Sequence, residues 1–101
     1  MNWDNTEKRQ FKRGEVLCKI YIFFPEEKVL SSYVENISDG GVKVFLEERV
    51  ADSEKVRLEI YLEDDPIICN AHVVWVNEQK DNENHLFYGV GFEFDNPQEI
   101  L

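Results

Sequence analysis

The sequence predicts an all-β domain, a small antiparallel barrel or sandwich, on three observations. Six short runs alternate apolar and polar residues with a period of two, and clusters of Gly, Pro, Asn, Asp and Ser separate them. No stretch carries the 3.6-residue apolar repeat of an amphipathic helix of useful length. A chain of 101 residues supports one domain with a single core. Closing the sheet on itself would also remove exposed strand edges, which a chain so rich in strands otherwise presents to its neighbours.

Met1 to Thr6 is polar, and four of the next seven residues, Glu7 to Arg13, are basic. From Gly14, one face collects Val16, Cys18, Ile20, Ile22 and Phe24, and the other Glu15, Leu17, Lys19 and Tyr21. Pro25-Glu26-Glu27 turns this first strand. Lys28 to Ile37 is less periodic but rich in β-branched and aromatic residues, and it runs into the turn formers Asn36-Ile37-Ser38-Asp39-Gly40-Gly41. Val42, Val44 and Leu46 then alternate with Lys43, Phe45 and Glu47 in a third strand, and Glu48 to Glu54 is a charged connection. Val56, Leu58, Ile60 and Leu62 form a fourth, closed by Glu63-Asp64-Asp65-Pro66. The fifth, Ile67 to Val76, places Ile67, Cys69, Ala71, Val73 and Trp75 on one face, with Asn70 and His72 on the other. Asn77 to Asn84 reads as a polar hairpin loop. Leu86, Tyr88, Val90, Phe92 and Phe94 make the sixth apolar face, where Gly89 and Gly91 point to a bend or a close backbone approach. Asp95-Asn96-Pro97 reads as a helix start, with only Gln98 to Leu101 left to fill it. The organisation expected is a basic arm over residues 1–13, a barrel over 14–96, and the start of a C-terminal helix over 97–101.

The composition, 43% apolar and 32% charged, is that of a globular protein. No apolar run exceeds Ile20 to Phe24, far short of the roughly 18 residues that span a bilayer, and no charged-then-apolar leader opens the chain. These features read as a cytoplasmic protein with no membrane insertion. Cys18 and Cys69 form no CxxC pair and sit in strands among apolar neighbours, which favours buried free thiols over a disulfide. A formal charge of −10 argues against DNA, RNA or anionic membrane as partners, because these need an extended basic surface.

Positive charge is nevertheless concentrated in one place. Lys8, Arg9, Lys12 and Arg13 are four of the eleven basic residues, so residues 1–13 carry +2 and the rest of the chain −12. Charges beyond about 8 Å are largely screened at physiological salt, which lets a local cluster hold a small anionic ligand despite the acidic body. Arg9 and Arg13 share a face whether the segment is helical or extended, about 6 Å apart in the first case and roughly 13 Å in the second. Their planar forks match phosphate oxygens or the O6/N7 edge of guanine, whereas Lys8 and Lys12 add attraction without that specificity. Alone, the cluster is also the pattern of a solvated basic arm.

Nothing in the chain reads as an enzyme. His72 and His85 stand in no metal-ligand pattern with the cysteines and beside no nucleophile motif. Glu63-Asp64-Asp65 lacks the spacing and glycine of an EF-hand loop, and the Gly89-x-Gly91 pair opens no helix onto a phosphate. Trp75 and the phenylalanines read as core. What stands out is Asn36-x-Ser38-x-x-Gly41: an amide that both donates and accepts, a small hydroxyl, and a glycine free to enter a tight turn. By itself this is an ordinary strand-ending turn. Taken with the arginine pair, it supplies neutral hydrogen bonds for the purine edge that the arginines leave free, which makes a site for a guanine nucleotide.

Arg9-x-x-x-Arg13, then Asn36-x-Ser38-x-x-Gly41, the strand Val73-Val74-Trp75-Val76 and the closing Tyr88-Gly89-Val90-Gly91-Phe92 together resemble a PilZ domain over nearly the whole chain. The resemblance implies a six-stranded antiparallel split barrel that binds the bacterial second messenger cyclic di-GMP without catalysis and without cofactor or metal. It implies that Arg9 and Arg13 lie on a flexible N-terminal loop that wraps over the ligand, and that Asn36, Ser38 and Gly41 contact the guanine and fix the pocket. The resemblance implies either one bound ligand or an intercalated pair, and a basic residue beside Arg9, here Lys8, is the feature that goes with the pair. Asn36 stands where the family often has Asp, and the C-terminal helix common in the family has room here for at most one turn. The resemblance also implies a downstream protein partner or fused output domain. The rival reading is a PilZ-like adaptor that binds protein and no nucleotide, for which the outward Leu17, Tyr21, Phe23 and Phe45 would suit a contact surface.

Overall fold

A computed structural model describes residues 18–62 and 65–98. Six strands follow one another: β1 (Lys19–Phe24), β2 (Lys28–Ser38), β3 (Gly41–Leu46), β4 (Lys55–Tyr61), β5 (Ile67–Lys80) and β6 (Leu86–Phe94). They close into an antiparallel barrel in the order β1-β2-β3-β6-β5-β4, with β4 returning to β1. The sequence expectation of a barrel holds, and closure leaves each strand paired on both sides.

The alternation in the sequence decides which side chains enter. Ile20 and Ile22 of β1, Val42 and Val44 of β3, Leu58 and Ile60 of β4, and Val90 and Phe92 of β6 are all fully buried. Cys18 is buried and Cys69 half-buried, both as free thiols. Burial pushes each thiol up to about 11, with the Asp95 carboxylate adding to the effect at Cys69, so neither is a thiolate at neutral pH. Phe92 is the largest fully buried side chain, and it stands between Val42 of β3 and Val73 of β5. Phe92→Ala should therefore cost about 3–5 kcal/mol, read as a lowered urea midpoint at an unchanged slope.

Three expectations need correction. β5 runs to Lys80, so Asn77–Lys80 is paired strand and not hairpin loop: Asn77 opposes Gly89, and Lys80 opposes Leu86. Its polarity arises because the β5–β6 ribbon extends past the core. The loop proper begins at Asp81, whose carboxylate accepts from the Glu83 and His85 backbone N–H groups at 2.8 and 2.9 Å. Those bonds hold the Asp81 carboxyl below its ordinary range, the His85 N–H contributing most.

Pro97 and Gln98 are not helical. Gln98 N–H donates to the Asp39 carbonyl at 2.9 Å, which ties this segment along the β2–β3 turn. Residues 99–101 lie outside the described residues, as does the whole basic arm with Lys8, Arg9, Lys12 and Arg13.

Trp75, finally, is not in the core. β5 carries a bulge between Val73, opposite Phe92, and Trp75, opposite Gly91. One extra residue reverses the alternation, so Trp75 turns to the outer face and Val76, opposite Val90, takes the inward position.

Candidate functional site

The same device operates on β2. Val34 points inward opposite Val44, and strict alternation would send Asn36 and Ser38 inward after it. A bulge between Val34 and Asn36 prevents this: Ile37 becomes the buried residue, and Asn36 and Ser38 face out. Two bulges on separate strands thus re-aim an amide, a hydroxyl and an indole onto one exterior surface.

Register places these side chains in rows across four strands. Asn36 of β2 opposes Lys43 of β3, Lys43 opposes Gly91 of β6, and Gly91 opposes Trp75 of β5. The adjacent row runs Ser38, Gly41, Glu93, His72. On the other side lie Phe45, Gly89 and Asn77.

The two glycines make the surface flat. A Cβ built on Gly91 would fall 2.3 Å from Cε2 and Nε1 of Trp75, so the indole occupies the space a side chain would need and lies directly on the β6 backbone. A Cβ at Gly89 would meet Trp75 Cζ3 and Phe45 Cε1 at 3.5 Å, ordinary contact. Lys43 Nζ stands 5.1 Å from the Phe45 ring centroid and 5.8 Å from that of Trp75, within range of both π faces. Phe87 braces Phe45 edge-to-face at 5.7 Å.

Ser38 and Gly41 flank a two-residue turn, Asp39-Gly40. The segment after β6 holds this turn from behind: Phe94 N–H donates to the Gly40 carbonyl, and Gln98 N–H to the Asp39 carbonyl, both at 2.9 Å. Ser38 stands on the outer side of the sheet, but its Oγ is covered by the surrounding atoms and has no hydrogen-bond partner among the described residues. At the end of the same row His72 bridges two carboxylates, with Nε2 3.1 Å from Glu93 and Nδ1 3.0 Å from Asp95.

Of the residues singled out from sequence, Asn36, Ser38 and Gly41 are brought together on this face. Lys43 and Trp75 are site features that sequence reasoning missed. The signal for Trp75 was available in Gly89-x-Gly91, two side-chain-free positions on one strand face paired with a strand bearing a tryptophan. Among the described residues no group of three or more His, Cys, Asp or Glu could hold a metal ion, and no helix is long and apolar enough to cross a membrane.

A flat indole, a cation held between rings, an amide and a hydroxyl make a surface suited to a planar polar ring that carries negative charge. The interior is filled with apolar side chains, so any such ligand lies on the barrel and not in it. This is the architecture of a small-barrel binding domain. The chain belongs to the PilZ domain family, whose sequence profile matches residues 7–101. Solved structures agree in fold. The PilZ domain of YcgR from Escherichia coli, solved with c-di-GMP, superimposes with a TM-score of 0.65 at 17% identity, over 79% of this chain and 69% of that one. MrkH of K. pneumonia in its apo state gives 0.72 at 15% identity, over 88% of this chain and 42% of that one. The Bacillus subtilis inhibitor of motility MotI/DgrA gives 0.61 at 23% identity, over 89% and 43%. The aligned region thus makes up less than half of MrkH and of MotI. No curated protein matches the chain.

Proposed function

We propose that this chain is a receptor for cyclic di-GMP, that the nucleotide lies on the outer face of β2, β3, β6 and β5, and that the basic arm folds over it. The observation that carries this reading is the convergence of Asn36, Ser38 and Gly41 with Lys43 and Trp75 on one exterior surface. The c-di-GMP in the structure of the YcgR domain, a relative by fold, is consistent with it.

The point at which the chain enters the barrel favours the arm's role. Cys18 carbonyl accepts from Val34 N–H at 2.8 Å, and β1 runs antiparallel to β2, so Cys18, the first described residue, stands beside the part of β2 that leads into Asn36 and Ser38. Arg13 lies five positions upstream, within about 18 Å of extended chain. In this reading the Arg9 and Arg13 forks take phosphate oxygens and the O6/N7 edge of a guanine. The Asn36 amide accepts from the guanine N1–H or N2–H, and the Ser38 hydroxyl gains a partner. Trp75 offers a stacking face, and Lys43 with Lys8 and Lys12 supplies attraction. No bond is made or broken. The work of the site is recognition in the cytoplasm, and its output is an ordered arm available to a partner or an attached domain.

Calorimetric titration of cyclic di-GMP, followed by amide NMR, tests this. The expected result is saturable heat, with shifts at Asn36, Ser38, Gly41, Lys43 and the Trp75 indole. No heat and an unchanged spectrum at high nucleotide would reject the receptor and leave the adaptor reading. Ser38→Ala should weaken binding by about 0.5–1.5 kcal/mol, roughly two- to tenfold.

A further inference from the structure

The opposite side of the barrel carries a second surface that the nucleotide reading does not use. In the closed order β1-β2-β3-β6-β5-β4, the β1–β4 pair lies across from β3–β6. Its outward residues are largely aromatic or aliphatic. Tyr33, Lys19 and Tyr61 form one row, Tyr21, Glu59 and Ile68 share the next, and Val29, Phe23 and Arg57 the third. Val29 is 50% exposed and Ile68 56%.

Cations sit on these rings. Lys19 Nζ is 4.6 Å from the Tyr33 centroid and 5.7 Å from that of Tyr21, and the Arg57 guanidinium lies 4.4 Å from the Phe23 centroid. Tyr21 and Tyr61 meet edge-to-face at 5.8 Å. Beside Arg57 a cleft of about 540 Å³ opens, lined by Phe23, Pro25, Lys55, Arg57, Asn70 and Asp95 among others. The outward cations are therefore Lys19, Lys55 and Arg57. Of the acids nearby, Glu59 accepts from the Tyr61 hydroxyl at 3.0 Å and stands 3.6 Å from Arg57, and Asp95 is held by His72.

We propose that the outer face of β1 and β4, centred on Arg57 and its cleft, docks a segment of a partner protein in which Asp or Glu flanks an aromatic or aliphatic side chain. Charge complementarity selects this occupant. A chain of net charge −10 repels an acidic segment except at local groups of cations, and Lys19, Lys55 and Arg57 form such a group set among exposed apolar surface. Stacking on Phe23 fixes the guanidinium plane and leaves the edge donors that Glu59 does not engage for a carboxylate, while the cleft beside it receives the apolar residue. A nucleic acid would need an extended basic surface, which the rest of the barrel denies it. A second copy of the chain would bring its own large negative charge.

Panning a random peptide library on the full chain, with Arg57→Glu as the counter-selection, tests the proposal. The enriched peptides should place Asp or Glu beside Phe, Tyr, Trp or Leu. Added to the labelled chain, they should shift the amides of Tyr21, Phe23, Arg57 and Ile68. Arg57→Glu and Ile68→Ser should each weaken them at least tenfold. Both positions are exposed, so dispersed spectra will verify that the variants fold. Cyclic di-GMP titration should give the same result for Arg57→Glu as for the unmodified chain, which separates this face from the nucleotide site. Enrichment of basic peptides, no enrichment sensitive to Arg57→Glu, binding of oligothymidylate at these residues, or self-association through them would each overturn the assignment.

Discussion

Replacing Arg9 and Arg13 together by alanine should lower affinity for cyclic di-GMP by about 2–6 kcal/mol, roughly thirtyfold to twenty-thousandfold. Each bidentate contact of an arginine to guanine contributes about 1–3 kcal/mol, so either single variant should lose roughly fivefold to 140-fold. The double variant should lose the sum, or less if the two forks share one phosphate. Arg→Lys at either position should recover only part of the loss, because an ammonium keeps the charge without the planar fork. Raising the salt should weaken wild-type binding and affect the double variant less, since its electrostatic share is gone. Calorimetry at two ionic strengths measures all of this. Equal affinity in wild type and double variant would remove the arm from the site, while shifts at Asn36 and Ser38 would still report whether the barrel face binds.

Most of the fold was legible in the sequence because each strand writes its burial in a two-residue period. Val42, Val44 and Leu46, or Val56, Leu58 and Ile60, read as inward from letters alone and are inward. Reading failed where one inserted residue changed the phase. Carried through Val73, alternation puts Trp75 in the core, and carried through Val34 it puts Asn36 and Ser38 there too. A bulge is a property of pairing between two strands, so its position is not written in either strand by itself. Asn36 and Ser38 were found by their chemistry, not by the face they occupy. Trp75 and Lys43 have unremarkable chemistry in isolation and become site residues only once the register sets them in a row with Asn36. The helix expected at Pro97 failed for a comparable reason. Its start signal is local, whereas the course of the segment follows the β2–β3 turn, where Gln98 N–H meets the Asp39 carbonyl, distant in the sequence.

Gly91→Val should destabilise the barrel by about 1–3 kcal/mol, although valine is by propensity the better strand residue. The added Cβ would stand 2.3 Å from the fused part of the Trp75 indole, a rigid ring and not the far end of a flexible chain. Trp75 must then leave the β6 backbone, or β6 must part from β5. Double-mutant analysis separates the clash from any effect on the backbone. Trp75→Ala removes the ring, so Gly91→Val should cost much less in that background, with a coupling of about 1–3 kcal/mol from urea denaturation. Gly89 is the control position: its Cβ would meet Gln79 Nε2 at 3.4 Å and the rings at 3.5 Å, so Gly89→Ala should change stability by about 0.5 kcal/mol or less. Nucleotide affinity should respond differently from stability. Gly91→Val should weaken cyclic di-GMP binding, and Trp75→Ala should fail to restore it while restoring the fold, because a base stacked on an aromatic ring gains about 1–3 kcal/mol that the double variant no longer offers. Full recovery of binding in the double variant would mean that Trp75 supports the sheet and leaves the ligand alone.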